Sequence, residues 1–203
     1  MLAFSRFFFN ARILLLSLSL AFLLISQAKA QSIIQNTNLT KELPTLNQMV
    51  VLDAQGKETS LAQVLSQNQQ AELVLINFWA TWCAPCLAEM PHLIALAQEN
   101  PDLLLIAISE DLRPATSVES FINKQGWRAQ SNEEAQKGQE ILFLYDQKMK
   151  LLKQTRHSSI PVSLLYAANG QALGQTKGVI KEQDFEQLEH DLQHYRDQAA
   201  DKE

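Results

Sequence analysis

Two runs of this chain, Glu72–Trp79 and Asp102–Ser109, are almost continuously apolar. Strands that are covered on both faces read this way, because neither side of the pleat meets water. Shorter apolar runs at Met49–Leu52 and Ile141–Tyr145 predict two more strands, the first closed by the turn Asp53–Gly56. Val162–Tyr166, the turn Ala167–Gly170 and a short strand around Leu173 read as a hairpin. Between these runs the period changes to that of a helix. Positions 87, 90, 93, 94 and 97 form one stripe, with Pro91 inside it as an expected kink. Pro114–Gln125 reads as a helix begun by its proline and stopped before Gly126. Phe185, Leu188, Leu192 and Tyr195 stripe a last helix. Ser60 is placed to cap a short helix through Leu61, Val64 and Leu65, followed by a polar loop at Gln67–Gln70. Strands alternating with helices predict an α/β domain: a central mixed β-sheet with helices on both faces.

The N-terminus follows a different pattern. Arg6 and Arg12 flank a short aromatic stretch, Ile13–Ile25 is apolar apart from two serines, and Ala28-Lys29-Ala30 offers a small-x-small cleavage site. This predicts a secretory signal peptide over residues 1–30, cut before Gln31. The run falls short of the roughly 18–20 residues of a spanning helix. Retention as an anchor is the alternative, since Phe7–Phe9 extend the apolar stretch. Residues 31–42 read as a polar lead-in, and 198–203 as a polar tail. Losing residues 1–30 removes Arg6, Arg12, Lys29 and no acid, so the formal charge goes from −5 to −8. An acidic surface without a Lys/Arg cluster argues against a nucleic-acid partner.

Candidate chemistry sits where the first buried strand ends. Trp82-Cys83-Ala84-Pro85-Cys86 holds the only two cysteines of the chain. A two-residue gap lets the sulfurs close a disulfide across the first turn of a helix, and a strand feeding that turn marks a redox pair. Zinc would need a second cysteine pair or two well-placed histidines. His190 and His194 are four apart, but read as a solvated helix face. Cys83, at the helix start, meets unpaired N–H groups that favour its thiolate, which makes it the nucleophile. Cys86, one turn further in, is the resolving thiol. A purely structural disulfide is the other reading, although so short a loop gains little from cross-linking. Ala84 and Pro85 add no positive charge beside Cys83, which points to a reductase; an oxidase or isomerase is the alternative. A copper-binding metallochaperone using Cys83, Cys86 and His157 is the alternative from another class; no cofactor is otherwise implied.

Asn77-Phe-Trp-Ala-Thr-Trp-Cys-Ala-Pro-Cys-Leu-Ala-Glu-Met-Pro91 resembles the active-site segment of the TlpA/ResA-like branch of thioredoxin-fold proteins. Pro44–Leu61 is similar to the N-terminal hairpin of that branch, and Ile160-Pro161 falls at its cis-proline. The resemblance implies a thioredoxin-like domain over 43–197 with an N-terminal β-hairpin extension. It implies that Pro161 is cis and lies against the disulfide, with Ile160 offering backbone hydrogen bonds to an extended substrate; a trans proline opening a strand is the plain alternative. Trp82 would form part of an apolar apron around Cys83, joined by Trp79 unless that ring is core. Glu89 stands where the branch carries a proton-handling carboxylate. The bland reading is an acid favoured near a helix N-terminus. Asn77 replaces thioredoxin's buried aspartate and cannot take a proton itself. Around Pro161 the chain reads Arg156-His-Ser-Ser-Ile-Pro-Val162, without the glycine-rich segment and glutamate of cytochrome c maturation members. The implied partners are exported proteins with disulfides and an upstream, membrane-bound thiol–disulfide electron donor.

Overall fold

The computed structural model describes residues 43–128, 141–146 and 148–200. The leader, the lead-in and most of the polar stretch Arg128–Gln139 lie outside the described residues. Among the described residues, seven strands form one sheet in the order β2-β1-β5-β4-β3-β6-β7. They are β1 (Val50–Leu52), β2 (Glu58–Ser60), β3 (Leu73–Trp79), β4 (Leu103–Ser109), β5 (Leu142–Tyr145), β6 (Val162–Ala167) and β7 (Ala172–Lys177). β3 pairs with β4, and β4 with β5, in parallel; the β1–β2, β1–β5, β3–β6 and β6–β7 pairs are antiparallel. The sheet is mixed, as the alternation of elements predicts.

Every residue of β3 and β4 is buried. Alternate positions feed two separate cores, because side chains along a strand point to opposite faces. Leu73, Leu75 and Trp79 join one cluster with Met90, Leu93, Val118, Ile122, Leu188 and Leu192. These come from α2 (Ala84–Glu99), α3 (Ala115–Gln125) and α5 (Phe185–Ala200). Val74, Ile76 and Phe78 join the other, with Leu61 and Val64 of α1 (Leu61–Ser66) and Leu151 and Leu152 of α4 (Lys150–Gln154). Asn77 shares the parity of Leu75 and Trp79, so it faces α2.

Local signals explain most helix ends. The Ser60 side chain accepts a hydrogen bond from Gln63 N at 3.2 Å, capping α1. Gly126 ends α3 with φ 69°, a left-handed conformation that a side chain disfavours. Pro114 is the cap of α3 rather than part of its first turn. Helix α2 runs through Pro91 as one element. α5 continues to Ala200, into the segment read as a polar tail. The five-residue α4 has no periodic signal and is absent from the sequence reading. The Asp146 carboxylate holds it, accepting from Lys150 N at 3.0 Å and Leu152 N at 3.2 Å. This cap anchors the loop that leads to Pro161.

Candidate active site

β3 delivers its C-terminal end directly to the cysteines. Cys83 N donates to Ala80 O at 3.1 Å, turning the chain, and Cys83 then caps α2. Its Sγ accepts from Cys86 N at 3.3 Å. The two sulfurs are bonded at 2.04 Å, with Cα atoms 5.3 Å apart. Pro85 falls in the first helical turn, where a missing N–H costs no intrahelical bond. Cys86 is fully enclosed, and Cys83 keeps 5% of its surface. Around them Trp82, Ala84 and Pro85 are exposed.

Asp111, beyond the end of β4, fixes the turn. Its carboxylate accepts from Thr81 N at 2.8 Å, Thr81 Oγ1 at 2.7 Å and Ser109 Oγ at 3.0 Å. Arg113 closes the group, pairing with Asp111 at 3.3 Å and donating to the Thr81 hydroxyl.

Glu89 lies one turn past Cys86 on the buried side of α2, 1% exposed. Oε1 accepts from Asn77 Nδ2 at 2.9 Å, and Oε2 from Ile180 N at 2.8 Å. Asn77 Nδ2 also donates to Ser163 Oγ at 3.1 Å, across the β3–β6 register. Burial pushes the Glu89 carboxyl from 4.5 up to about 7, and the two N–H donors only partly oppose it. Sequence reasoning missed Ser163 and Ile180. Ser163 announces itself as the hydroxyl interrupting Val-Ser-Leu-Leu; Ile180 acts through its backbone and leaves no signal.

A second buried acid was also missed. Glu110 is fully enclosed, and neither carboxylate oxygen has a hydrogen-bond partner among the described residues. Burial, reinforced by Asp146 and opposed by Lys153, pushes it up to about 9, so it is neutral at pH 7. Its backbone N–H donates to Trp79 O at 2.8 Å.

The Ile160–Pro161 peptide is cis. Val162 pairs with Phe78, so Pro161 sits at the end of the sheet from which Cys83 emerges. Gly178 N donates to Pro161 O at 3.0 Å, and Ile160 packs against both cores. Trp79 is fully buried, edge-on to Trp127 at 5.3 Å between centroids, so it is core rather than apron. His157 is enclosed by the fold. It is buried with Nδ1 3.0 Å from Thr155 Oγ1, and desolvation lowers its pKa. Among the described residues no three His, Cys, Asp or Glu side chains converge on a metal position. The copper reading of Cys83, Cys86 and His157 therefore lacks its site. His190 and His194 are exposed on α5.

This fold, with a Cys-x-x-Cys disulfide at the head of α2, defines a thioredoxin-like thiol–disulfide oxidoreductase. A model of the Redoxin family matches residues 30–193, and the chain belongs to that family. Thiol-disulfide oxidoreductase ResA of Bacillus thuringiensis (strain Al Hakam) is 30% identical over 157 residues, 76% of this chain and 77% of that one. Two solved structures share the fold. The MTB protein dsbF gives a TM-score of 0.52 at 16% identity, over 70% of this chain and 93% of that one. StoA of Bacillus subtilis gives 0.50 at 18%, over 70% and 96%.

The Glu89 environment has a measurable consequence. Between pH 4.5 and about 7 the folded chain holds a proton there that the unfolded chain has lost. That contribution to stability is full below the lower value and is lost as pH rises through the upper one. Glu89→Gln stays neutral throughout. Its stability relative to wild type, from urea unfolding of the oxidised proteins, should rise by roughly 3 kcal/mol between about pH 4 and pH 9. A difference independent of pH would contradict a desolvated Glu89.

Proposed function

We propose that this oxidoreductase is exported and reduces disulfides in other exported proteins. The Arg-flanked apolar leader with its Ala28-Lys29-Ala30 site supports export, with release after Ala30. Among the described residues no helix is long and apolar enough to cross a membrane. The observation that carries the reaction is the Cys83–Cys86 disulfide at a helix N-terminus, one turn from a buried carboxyl.

In the reduced protein the Cys83 thiolate attacks a substrate disulfide. A mixed disulfide forms, and the other substrate sulfur leaves as a thiolate. Glu89, as the carboxylate, takes the proton of the Cys86 thiol. The Cys86 thiolate then attacks Cys83 Sγ, closing the intramolecular disulfide and expelling the second substrate sulfur. Two electrons pass to the substrate; Glu89 gives the Cys86 proton to the expelled sulfur, and the first substrate thiolate takes its proton from water. An upstream dithiol donor, which we place in the membrane, restores the reduced state. Ile160, held before the cis proline Pro161, offers backbone to the extended substrate segment, and Trp82 lends it an apolar face.

The direction rests on how weakly the Cys83 thiolate is stabilised. Ala84 and Pro85 bring no charge, Pro85 has no N–H, and the N–H recorded against Sγ is that of Cys86. A poorly stabilised reduced form donates electrons readily. We expect a standard reduction potential of roughly −220 to −280 mV, measured by equilibration with glutathione, nearer thioredoxin than the strong oxidants at about −120 mV. A value above about −170 mV would favour an oxidase.

The thiols should also differ in rate. Iodoacetamide near neutral pH should alkylate Cys83 much faster than the enclosed Cys86. Equal rates, or a faster Cys86, would remove the nucleophile assignment.

A further inference from the structure

Burial in this molecule is thorough, which makes its exceptions informative. Among the described residues the exposed large apolar side chains are Val50, Trp82 and Leu112. Two of these three stand at the disulfide end of the sheet. Trp82, 64% exposed, precedes Cys83, and Leu112, 78% exposed, follows Asp111. Their loops are locked together by the Asp111 carboxylate on Thr81 N and Oγ1 and by the Arg113 guanidinium on the same hydroxyl. Each exposed side chain is one residue away from that junction. Asp111 is buried and spends its charge on the junction, leaving Leu112 as the outward residue of the loop.

The charges on this rim run against the acidic chain. In segments 80–88, 111–114, 158–161 and 177–179, the exposed charged residues are Arg113 and Lys177. Lys177 reaches this end because it pairs with Val162, next to Pro161. A polypeptide whose cysteine is joined to Cys83 must lie on this rim, so the covering partner follows from the chemistry of the mixed disulfide. We propose that Leu112, together with Trp82, seats an apolar side chain flanking the attacked cysteine of a protein disulfide, with Arg113 and Lys177 favouring acidic residues beyond it. This inference rests on the reading of Cys83 as nucleophile. It makes Leu112 a specificity residue for the substrate, which the sequence pattern does not reveal: a lone leucine in Asp-Leu-Arg-Pro reads as a loop residue.

The test uses the full chain as Cys86→Ser, which stops at the mixed disulfide and so does not depend on redox direction. Its reaction is followed with two cyclic disulfide peptides that carry an acidic residue and differ only in phenylalanine or serine beside the cysteine. The phenylalanine peptide should react about tenfold faster, the order expected for partly burying one apolar side chain. Adding Leu112→Ser should cut that ratio to about twofold, and Leu112→Met should keep it. Raising the salt concentration should slow both peptides, because the rim charges are exposed. Leu112 is so exposed that its replacement leaves the cores intact, which a thermal midpoint verifies. Equal rates for the two peptides, or a ratio unmoved by Leu112→Ser, would overturn the proposal while reaction with 5,5′-dithiobis(2-nitrobenzoate) still proceeds. No reaction with that small disulfide either would instead refute Cys83 as nucleophile, and the docking site with it.

Discussion

An ionisable carboxyl enclosed in an apolar cluster is the constraint around which this site is organised. Glu89 shares its buried helix face with Cys86, Met90 and Leu93. Leaving a buried acceptor unpaired costs about 1–3 kcal/mol, and more when it is charged. The fold meets that demand with two donors, the side-chain amide of Asn77 on β3 and the backbone N–H of Ile180 after β7, while the Ser163 hydroxyl on β6 accepts from the same Asn77 amide. These donors stabilise the charged form, and burial disfavours it. Burial outweighs the donors and leaves the group titrating at about 7, where a proton is both held and released at ordinary pH.

The sheet makes this arrangement possible. β3 lies between β4 and β6, so each of its residues is flanked by backbone hydrogen bonds and its side chains fill two cores. Strict alternation puts Asn77 under α2, and the register carries Ser163 to it. Ending β3 at Trp79 then sets Cys83 at the head of the helix that holds Glu89. The Asp111 junction stiffens the connection Ala80–Cys83 between strand and helix. Redox chemistry needs the sulfurs and the carboxyl in fixed relation, and one strand-to-helix connection supplies it.

Much of this is legible in the residues themselves. The continuous apolar runs mark β3 and β4, Ser60 and Gly126 mark helix ends, and the cysteine spacing marks the redox pair. What is hidden has a physical reason in each case. α4 is too short for a period and depends on the distant carboxylate of Asp146. His157 looks like a loop residue because its burial comes from tertiary packing. Glu110 follows an apolar strand where an acid ordinarily turns to solvent; here it is fully enclosed, close enough to Asp146 and Lys153 for their charges to act on it. Glu89 falls on the apolar stripe of α2, yet its donors come from elements far along the chain. Sequence suggests a carboxylate beside the thiols; only packing shows that it is desolvated.

The role of that carboxylate is tested most directly by the rate at which the Cys83 mixed disulfide resolves. Stopped-flow measurements across pH 5 to 9 would compare wild type with Glu89→Gln. If Glu89 takes the proton of Cys86, the wild-type rate climbs as the carboxyl ionises near pH 7, and the variant is slower and lacks that step. Superimposable profiles would contradict the account and leave Glu89 as a buried structural acid beside the two cysteines.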